Sequence, residues 1–262
     1  RTEKLAAMGR MSAAVAHEIR NPLAAIGQAA ELLEEELTEP LQKKLNGMVQ
    51  ANVARLGRVV SDVLDIARMQ QYPTETHATL LLDATVRQLC DEWLGQNQPW
   101  QGAMHMALNA PEQWAHFESE HLRRIMVNLL DNAKRHGQQD KPLILVGTHL
   151  QDQAVHLQVW SRGAPLPAAV QARLFEPFAA GPSRSTGLGL YICRELCQRY
   201  QADIHYQRLP LSAIWGKAPV PTGLDGQEEG NVFSIWMKPA SESTDNTVDV
   251  PHRGNGKETS QP

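Results

Sequence analysis

A heptad pattern over the first 37 residues constrains the fold of this chain more than any other feature of its sequence. Apolar residues recur at alternating steps of three and four, which is typical of a helix that packs along one seam against other helices. Pro22 predicts a bend within this helix, because it removes a backbone hydrogen-bond donor. The seam consists of Leu5, Met8, Val15, Ile19, Ile26, Ala29 and Leu33, with Ser12 and Pro22 at the remaining steps.

His17 lies between the seam positions Val15 and Ile19, so it is expected on the flank of the helix that faces water. An exposed imidazole beside Glu18 can act as a nucleophile near neutral pH, with the carboxylate taking up its proton. Such a pair also occurs on the surface of ordinary helical hairpins. The pair alone therefore does not establish a catalytic site.

A second helical pattern follows a short break at residues 38–40 and continues to about residue 70. Because the break is short, the two helices are expected to run antiparallel. Two helices alone cannot bury an apolar seam on both sides, so the hairpin of residues 1–70 is expected to pair with a second copy. The predicted assembly is a homodimer held by a four-helix bundle.

After a linker at residues 71–76, helical and strand patterns alternate over residues 77–239 and predict an α/β domain. The segment 209–230 is rich in proline and glycine, and we interpret it as an inserted loop without an assigned role. Residues 240–262 contain no aromatic residue and predict a disordered tail. Helices are expected at 83–96, 119–136 and 186–200, and strands at 77–82, 103–108, 114–117, 142–150, 154–160, 203–208 and 232–237.

Composition argues against several other functions. The formal net charge of −4 gives no support for nucleic-acid binding, and the chain has no run of about 18 apolar residues that could span a membrane. The cysteines Cys90, Cys193 and Cys197 are typical of a reducing compartment. Cys193 and Cys197 are one helical turn apart and are expected to pack in the core rather than bind metal. Since the chain begins with Arg1, we expect a soluble piece of a longer protein whose sensing or membrane part lies upstream.

Three features of the second half indicate a nucleotide site. Asn128 and Asn132 are four residues apart, so their amides share one helix face, and amide oxygens are suitable ligands for Mg²⁺. A Gly-Leu-Gly turn at 187–189 runs into a helix, where free N–H groups favour phosphate. The third feature is the turn at 161–166, which follows a strand. A Phe-Glu-Pro-Phe run at 175–178 and a lid at 179–185 precede the Gly-Leu-Gly turn. Each feature alone is compatible with a polar helix face or a plain turn.

Residues 17–23 read His-Glu-Ile-Arg-Asn-Pro-Leu and closely resemble the phosphoacceptor box of bacterial two-component sensor histidine kinases. The order of motifs over residues 77–239 resembles the ATP-binding domain that these kinases share with Hsp90, gyrase and MutL. The combination is particular to sensor histidine kinases. It implies an all-α antiparallel hairpin, dimeric as a four-helix bundle, followed by an α/β sandwich of the histidine kinase/Hsp90/gyrase ATPase type.

The resemblance implies that His17 accepts the γ-phosphoryl group of ATP and that Glu18 is its general base. Asn21 matches the family position that helps to orient water for dephosphorylation of the partner protein. The phosphoryl group would pass to an aspartate of a separate response regulator, because no receiver domain is recognisable in this chain. The resemblance also implies a cytoplasmic location, with any membrane attachment made by a part upstream.

The cofactors implied by the resemblance are ATP and Mg²⁺, both in the second domain. Asn132 would bind Mg²⁺, while Asn128, Arg135 and His136 would line the phosphates. Phosphoryl transfer depends on positioning and charge neutralisation more than on covalent help, so such a set is chemically sufficient. The whole nucleotide site is expected to comprise Asn128, Asp131, Asn132, Arg135, His136, Ser161, Gly163, Thr186, Gly187, Leu188 and Gly189.

The turn at 161–166 departs from the family pattern. The family has an aspartate that accepts a hydrogen bond from adenine where this chain has Ser161, and a glycine where it has Pro165. The loss of a charge-assisted hydrogen bond corresponds to ~1.5–3 kcal/mol. A water molecule, Asp131 or Asp152 could make the contact instead.

Two functions therefore remain open. An active autokinase with altered adenine recognition is favoured by the presence of the histidine, the glutamate, both asparagines and both glycines of the turn. A pseudokinase is favoured by Ser161 and Pro165. It would act as a dimeric scaffold or, through Asn21, as a phosphatase of the regulator.

Overall fold

The computed structural model describes residues 13–71, 78–179, 186–216, 220 and 223–240, with side chains from residue 18 to residue 64 in the first segment. Several predicted features lie outside the described residues: the seam positions Leu5, Met8 and Ser12, the linker residues 72–76, the lid residues 180–185 and the tail residues 241–262.

Two antiparallel helices, α1 (Ala13–Glu36) and α2 (Pro40–Gln71), form the predicted hairpin. Proline is tolerated at the start of α2 because the first N–H groups of a helix have no partner within it. α2 continues to Gln71, which is the first residue of the predicted linker. The pairing is defined by hydrogen bonds from Gln50 Nε2 to the carbonyl oxygen of Ala30 (3.1 Å) and from Asn46 Nδ2 to the carboxylate of Glu34 (2.7 Å). Further along the hairpin, a Cβ added at Gly27 would lie 3.6 Å from Cγ1 of Val53.

Each helix of the hairpin exposes a row of apolar side chains. Ile19, Ile26 and Leu33 occupy the predicted seam of α1, yet they are 43–51% exposed. A continuous apolar surface of this kind is typical of an interface with another molecule. On α2 the exposed apolar residues are Leu41, Leu45, Met48, Val49 and Leu56.

The second domain follows the predicted order of helices and strands, and the helix at 119–136 has the predicted bounds. Its main elements are β1 (Thr79–Leu81), α3 (Leu82–Gln96), a 3₁₀ turn (Gln98–Trp100), β2 (Met104–Asn109), β3 (Trp114–His116), α4 (Ser119–His136), β4 (Ile144–Gln151), β5 (Ala154–Ser161), α5 (Ala168–Gln171), α6 (Gly189–Arg199), β6 (Asp203–Pro210), α7 (Leu211–Trp215), β7 (Glu229–Met237) and β8 (Pro239–Ala240).

Five strands form the main sheet in the order β2-β4-β5-β7-β6. β2 and β4 are parallel, and the other neighbouring strands are antiparallel. A small antiparallel sheet has the order β1-β3-β8. Because β8 includes Ala240, the first residue of the predicted tail belongs to a strand.

One face of the main sheet packs against α3, α4 and α6 and forms the main core. Cys193 and Cys197 lie within this core, as expected, and Cys90 lies there as well. Burial raises the pKa of both Cys90 and Cys193 to about 12, so these thiols are protonated and unreactive at neutral pH. None of the described helices combines the length and the apolar character needed to cross a bilayer.

The segment 209–230 is not the plain inserted loop that the sequence predicts. Its first residues extend β6 and then form α7, and its last residues begin β7. Leu211 and Ile214 of α7 pack with Trp160 on the outer face of the sheet and form a second core. The indole N–H of Trp160 donates to the carbonyl oxygen of Leu209 (3.0 Å). The segment therefore covers a part of the sheet that would otherwise be exposed.

A methyl group at Gly230 would overlap the buried ring of Trp160. We expect Gly230→Ala to lower the free energy of unfolding by roughly 1–3 kcal/mol, the usual cost of an overpacked core. Chemical denaturation measures this change. Gly95→Ala is the control, because Gly95 on α3 has open space around it. Equal losses in the two variants would contradict the packing of this segment on Trp160.

Candidate active site

A cavity of about 350 Å³ opens beside α4, a size suited to a small-molecule ligand. Its walls are α4, the end of β5, the turn before α6, and the hairpin helix α2. Most residues of the predicted nucleotide site lie together at this cavity. Asn128, Asp131, Asn132, Arg135, His136, Ser161, Thr186, Gly187 and Gly189 all line the cavity.

Gly163 and Leu188 do not line the cavity. Leu188 is fully buried in the main core, so only its backbone could serve a ligand in the cavity. Gly163 lies behind the wall, where an added Cβ would be 3.2 Å from Nδ2 of Asn231. Both residues support the turns that carry their neighbours.

Asn128 and Asn132 lie one helical turn apart on α4, and the start of α6 packs directly against the first of them. A Cβ at Gly189 would lie 2.8 Å from Oδ1 of Asn128. Because glycine has no Cβ, the N-terminus of α6 approaches this amide without displacing it. The free N–H groups of the helix start and the two amides consequently face one space, which suits an anionic ligand with a bound cation.

The glycine turn places the start of α6 later than the sequence predicts, at Gly189 rather than Thr186. Gly187 has φ +69°, a left-handed conformation that glycine adopts without strain. The hydroxyl of Thr186 accepts a hydrogen bond from the N–H of Leu188 (3.2 Å). The N–H of Phe178 donates to the carbonyl oxygen of Gly187 (3.0 Å), so the two ends of the predicted lid are joined.

Residues of β6 and β7 hold the turn at 161–166 in place. Asn231 donates from Nδ2 to the carbonyl oxygen of Ala164 (3.0 Å), and its Oδ1 accepts from the hydroxyl of Tyr206 (2.7 Å). Arg208 donates from Nη1 to the carbonyl oxygen of Gly163 (2.7 Å). The turn is therefore fixed before any ligand binds, which is what a recognition loop requires.

Ser161, which the resemblance matches to the family's adenine-binding aspartate, is buried at the end of β5 and lines the cavity. Asp131 also lines the cavity, although its Oδ1 already accepts a hydrogen bond from the indole N–H of Trp93 (3.0 Å). Asp152 lies at the turn between β4 and β5, whereas Ser161 lies at the other end of the eight-residue strand β5. Asp152 is therefore at least ~23 Å from Ser161. The suggestion that Asp152 could replace the missing carboxylate is therefore wrong.

Positive charge lies along the cavity wall at Arg58, Arg135 and Arg173. The pKa of His136 is lowered, first by partial burial of its ring and then by the positive charge of Arg135. His136 is therefore neutral at pH 7 and can serve as a hydrogen-bond partner. The arrangement favours an anionic ligand such as a polyphosphate.

The predicted catalytic residues lie on α1. Glu18 and Asn21 are exposed on this helix, and the side chain of His17 lies outside the described residues. If the pairing of α1 with α2 is continued by equal steps along both helices, His17 lies level with Val63. Asp62, the neighbour of Val63, lines the cavity, so the cavity and the predicted phosphoacceptor lie at the same height of the hairpin.

Sequence reasoning missed several residues of the cavity wall. Arg58 and Asp62 come from the hairpin, and their distance in sequence from the asparagines gives no local signal. Asn231 and Phe233 come from β7, which the sequence predicts only as a strand. The remaining missed lining residues are Leu129, Ala133, Val159, Leu166, Val170, Arg173, Leu174, Ala179 and Leu190.

Mg²⁺ fits the residues present if a phosphate ligand completes its coordination. The amide of Asn132 lines the cavity, and Mg²⁺ is commonly held by one or two protein oxygens together with phosphates and water. Within the described ranges, no group of three or more His, Cys, Asp or Glu residues is arranged as a metal site.

Two family models match the chain. The model described as the His Kinase A (phospho-acceptor) domain matches residues 7–72. The model described as the histidine kinase-, DNA gyrase B- and HSP90-like ATPase matches residues 117–241.

Similar curated proteins include two from Pseudomonas aeruginosa. The sensor protein kinase PilS of Pseudomonas aeruginosa is 36% identical over 211 residues, which are 78% of this chain and 39% of PilS. The bacteriophytochrome of the same organism is 31% identical over 74% of this chain and 27% of its own length. The chain thus spans well under half of the length of these relatives.

Solved structures share the fold. Full-length ShkA in complex with AMPPNP has a TM-score of 0.64 at 22% identity and covers 88% of this chain and 46% of ShkA. The histidine kinase ThkA in complex with the response regulator protein TrrA has a TM-score of 0.56 at 21% identity. That match covers 92% of this chain and 64% of the ThkA chain.

The close approach of Gly189 to Asn128 generates a prediction about ligand affinity. We expect Gly189→Ala to weaken the binding of Mg²⁺·AMP-PNP roughly tenfold, because the added methyl displaces the amide or the turn. Isothermal titration calorimetry measures the affinity, and Gly95→Ala provides the control away from the cavity. Unchanged affinity of Gly189→Ala would contradict a ligand site at the contact of α4 and α6.

Proposed function

The chain belongs to the sensor histidine kinase family, and on that premise we propose that it transfers the γ-phosphoryl group of ATP to His17. One observation supports this proposal most strongly. The two asparagines of α4 and the glycine turn share one cavity with α2, at the height of the hairpin where His17 lies. A nucleotide bound there would present its phosphates towards the hairpin.

In the proposed reaction, a ring nitrogen of His17 attacks the γ-phosphorus, the bond to the bridging oxygen breaks, and ADP leaves. Glu18, the next residue on α1, accepts the proton that the imidazole loses. Asn21 lies one helical turn further along the same helix. It would orient a water molecule when the phosphorylated regulator is hydrolysed.

Asn132 would hold Mg²⁺ through its amide oxygen, and Asn128, Arg135 and His136 would contact the phosphates. When bound, Mg²⁺ neutralises charge on the phosphates. Gly187 and Gly189 bring the backbone of the turn close enough to donate N–H groups to them. ShkA, which shares this fold, is in complex with AMPPNP, which is consistent with a nucleotide as the ligand.

Ser161 and Asp131 are the groups that would recognise adenine. Ser161 supplies a hydroxyl at the end of β5, and Asp131 supplies a carboxylate that the indole of Trp93 already orients. Gly163 would act through the turn that it supports. Because a neutral contact is weaker than a charged one, we propose that the chain binds adenine more weakly than family members with the aspartate.

A non-catalytic function is the second candidate, and the serine at this position favours it. In that case the hairpin would serve as a dimeric scaffold or as a phosphatase of the regulator that acts through Asn21. The complete set of phosphate-facing residues favours the kinase. If the chain bound no nucleotide, its chemistry would not require the close approach of Gly189 to the amide of Asn128.

We also propose two protein partners. One is a second copy of this chain, which would cover the apolar rows of the hairpin. The other is the receiver domain of a response regulator, which would accept the phosphoryl group on an aspartate. ThkA, which shares the fold, is in complex with the response regulator protein TrrA. A sensor region upstream of these residues would control both activities.

Incubation with labelled ATP and Mg²⁺ tests the proposed kinase. We expect acid-labile label on the wild type, none on His17→Ala, and more on Ser161→Asp at low ATP, because the carboxylate restores a charge-assisted contact. Label on Ser161→Asp but none on the wild type would identify a recognition defect. Nucleotide binding without label in any variant would support the scaffold or phosphatase instead.

Sedimentation velocity tests the proposed homodimer. We expect the chain to sediment as a dimer, and Leu33→Glu to raise the dimer dissociation constant at least ~tenfold, because it places a charge in the apolar row. Leu150→Glu is a matched control, since Leu150 on β4 is 50% exposed and Leu33 is 51% exposed. A monomeric wild type would contradict the bundle.

A further inference from the structure

The hairpin forms one wall of the nucleotide cavity in addition to carrying the predicted phosphoacceptor. Arg58 and Asp62 lie one turn apart on α2, so their side chains share a helix face, and both line the cavity. The other lining residues belong to the ATPase domain. The cavity is therefore a composite of two domains, and the hairpin contributes one charge of each sign.

Asp62 anchors α2 to the ATPase domain through two hydrogen bonds. Its Oδ1 accepts a hydrogen bond from Nη2 of Arg124 on α4 (2.8 Å), and its Oδ2 accepts one from the hydroxyl of Thr186 (3.2 Å). The side chain of Asp62 is only 15% exposed, so water screens this ion pair less than a surface pair. The neighbouring Val63 packs against the main core. These contacts hold α2 at the base of the glycine turn.

Arg58 occupies a different electrostatic position. It is exposed at the cavity wall, and no carboxylate in the described part of the chain lies within ion-pair distance of its guanidinium. By contrast, both carboxylates of the wall accept hydrogen bonds, Asp62 from Arg124 and Asp131 from Trp93. An arginine at the wall of a cavity, without a carboxylate partner among the described residues, is well suited to contact a phosphate.

We propose that Arg58 binds the phosphates of the nucleotide from the hairpin, and that Asp62 positions it there by fastening α2 to Arg124. This inference rests on the proposed nucleotide site. The geometry has a thermodynamic consequence, because a ligand held by two domains stabilises their association. By thermodynamic reciprocity, the association of α2 with the ATPase domain strengthens nucleotide binding by the same factor.

Titration of the full chain with Mg²⁺·AMP-PNP and with adenosine tests the role of Arg58. We expect Arg58→Ala to weaken Mg²⁺·AMP-PNP roughly tenfold and to leave adenosine unchanged, since adenosine carries no phosphate. Arg55→Ala is the matched control, with the same charge on the same helix one turn further from the cavity. Equal losses for Arg58→Ala and Arg55→Ala, or no loss for Arg58→Ala, would overturn the inference.

Arg124 provides the test of positioning, because it does not line the cavity. We expect Arg124→Gln to weaken Mg²⁺·AMP-PNP to the level of Arg58→Ala, and the double variant to lose no more than either single variant. Arg124→Lys keeps the charge and should retain most of the affinity. Additive losses in the double variant would show that Arg124 does not act through Arg58, while circular dichroism verifies that each variant is folded.

Measuring both the affinity for Mg²⁺·AMP-PNP and the labelling of His17 distinguishes this inference from the proposed kinase activity. Binding that depends on Arg58 without labelling of His17 would uphold the inference and contradict the kinase. Labelling of His17 with affinity independent of Arg58 would uphold the kinase and contradict the inference. Failure of the wild type to bind Mg²⁺·AMP-PNP would contradict both.

Discussion

The close approach of α6 to α4 is the constraint on which the site depends. Because Gly189 has no side chain, the start of α6 can lie against the amide of Asn128. This contact brings helix N–H groups, two amides and the glycine turn around one cavity. The main core beneath it, formed by α3, α4, α6 and the inner face of the sheet, holds the two helices at that distance.

Periodic segments were predictable from sequence because they are local. The hairpin and α4 follow a repeat of 3.6 residues, and Asn128 and Asn132 are four residues apart on one of these helices. Contacts between distant segments leave no such trace. Thr186 and Asp62 are 124 residues apart, and the packing of α7 on Trp160 occurs within a segment whose prolines and glycines indicate a loop.

The proposed adenine side of the cavity departs from the family pattern, whereas the proposed phosphate side matches it. Ser161 replaces a carboxylate, yet the turn that follows is held by Asn231 and Arg208. The loop therefore retains its structure while its charge has changed. This separation favours altered adenine recognition over loss of the site, and it places the phosphate contacts at the centre of the proposed function.

A crystal structure of the chain with bound Mg²⁺·AMP-PNP would locate the nucleotide and its phosphates. We expect the phosphates between Asn128, Asn132 and the backbone of Gly187 to Gly189, with the adenine beside Ser161 and Asp131. Density for the nucleotide at another surface, or none in this cavity at saturating concentration, would contradict this expectation.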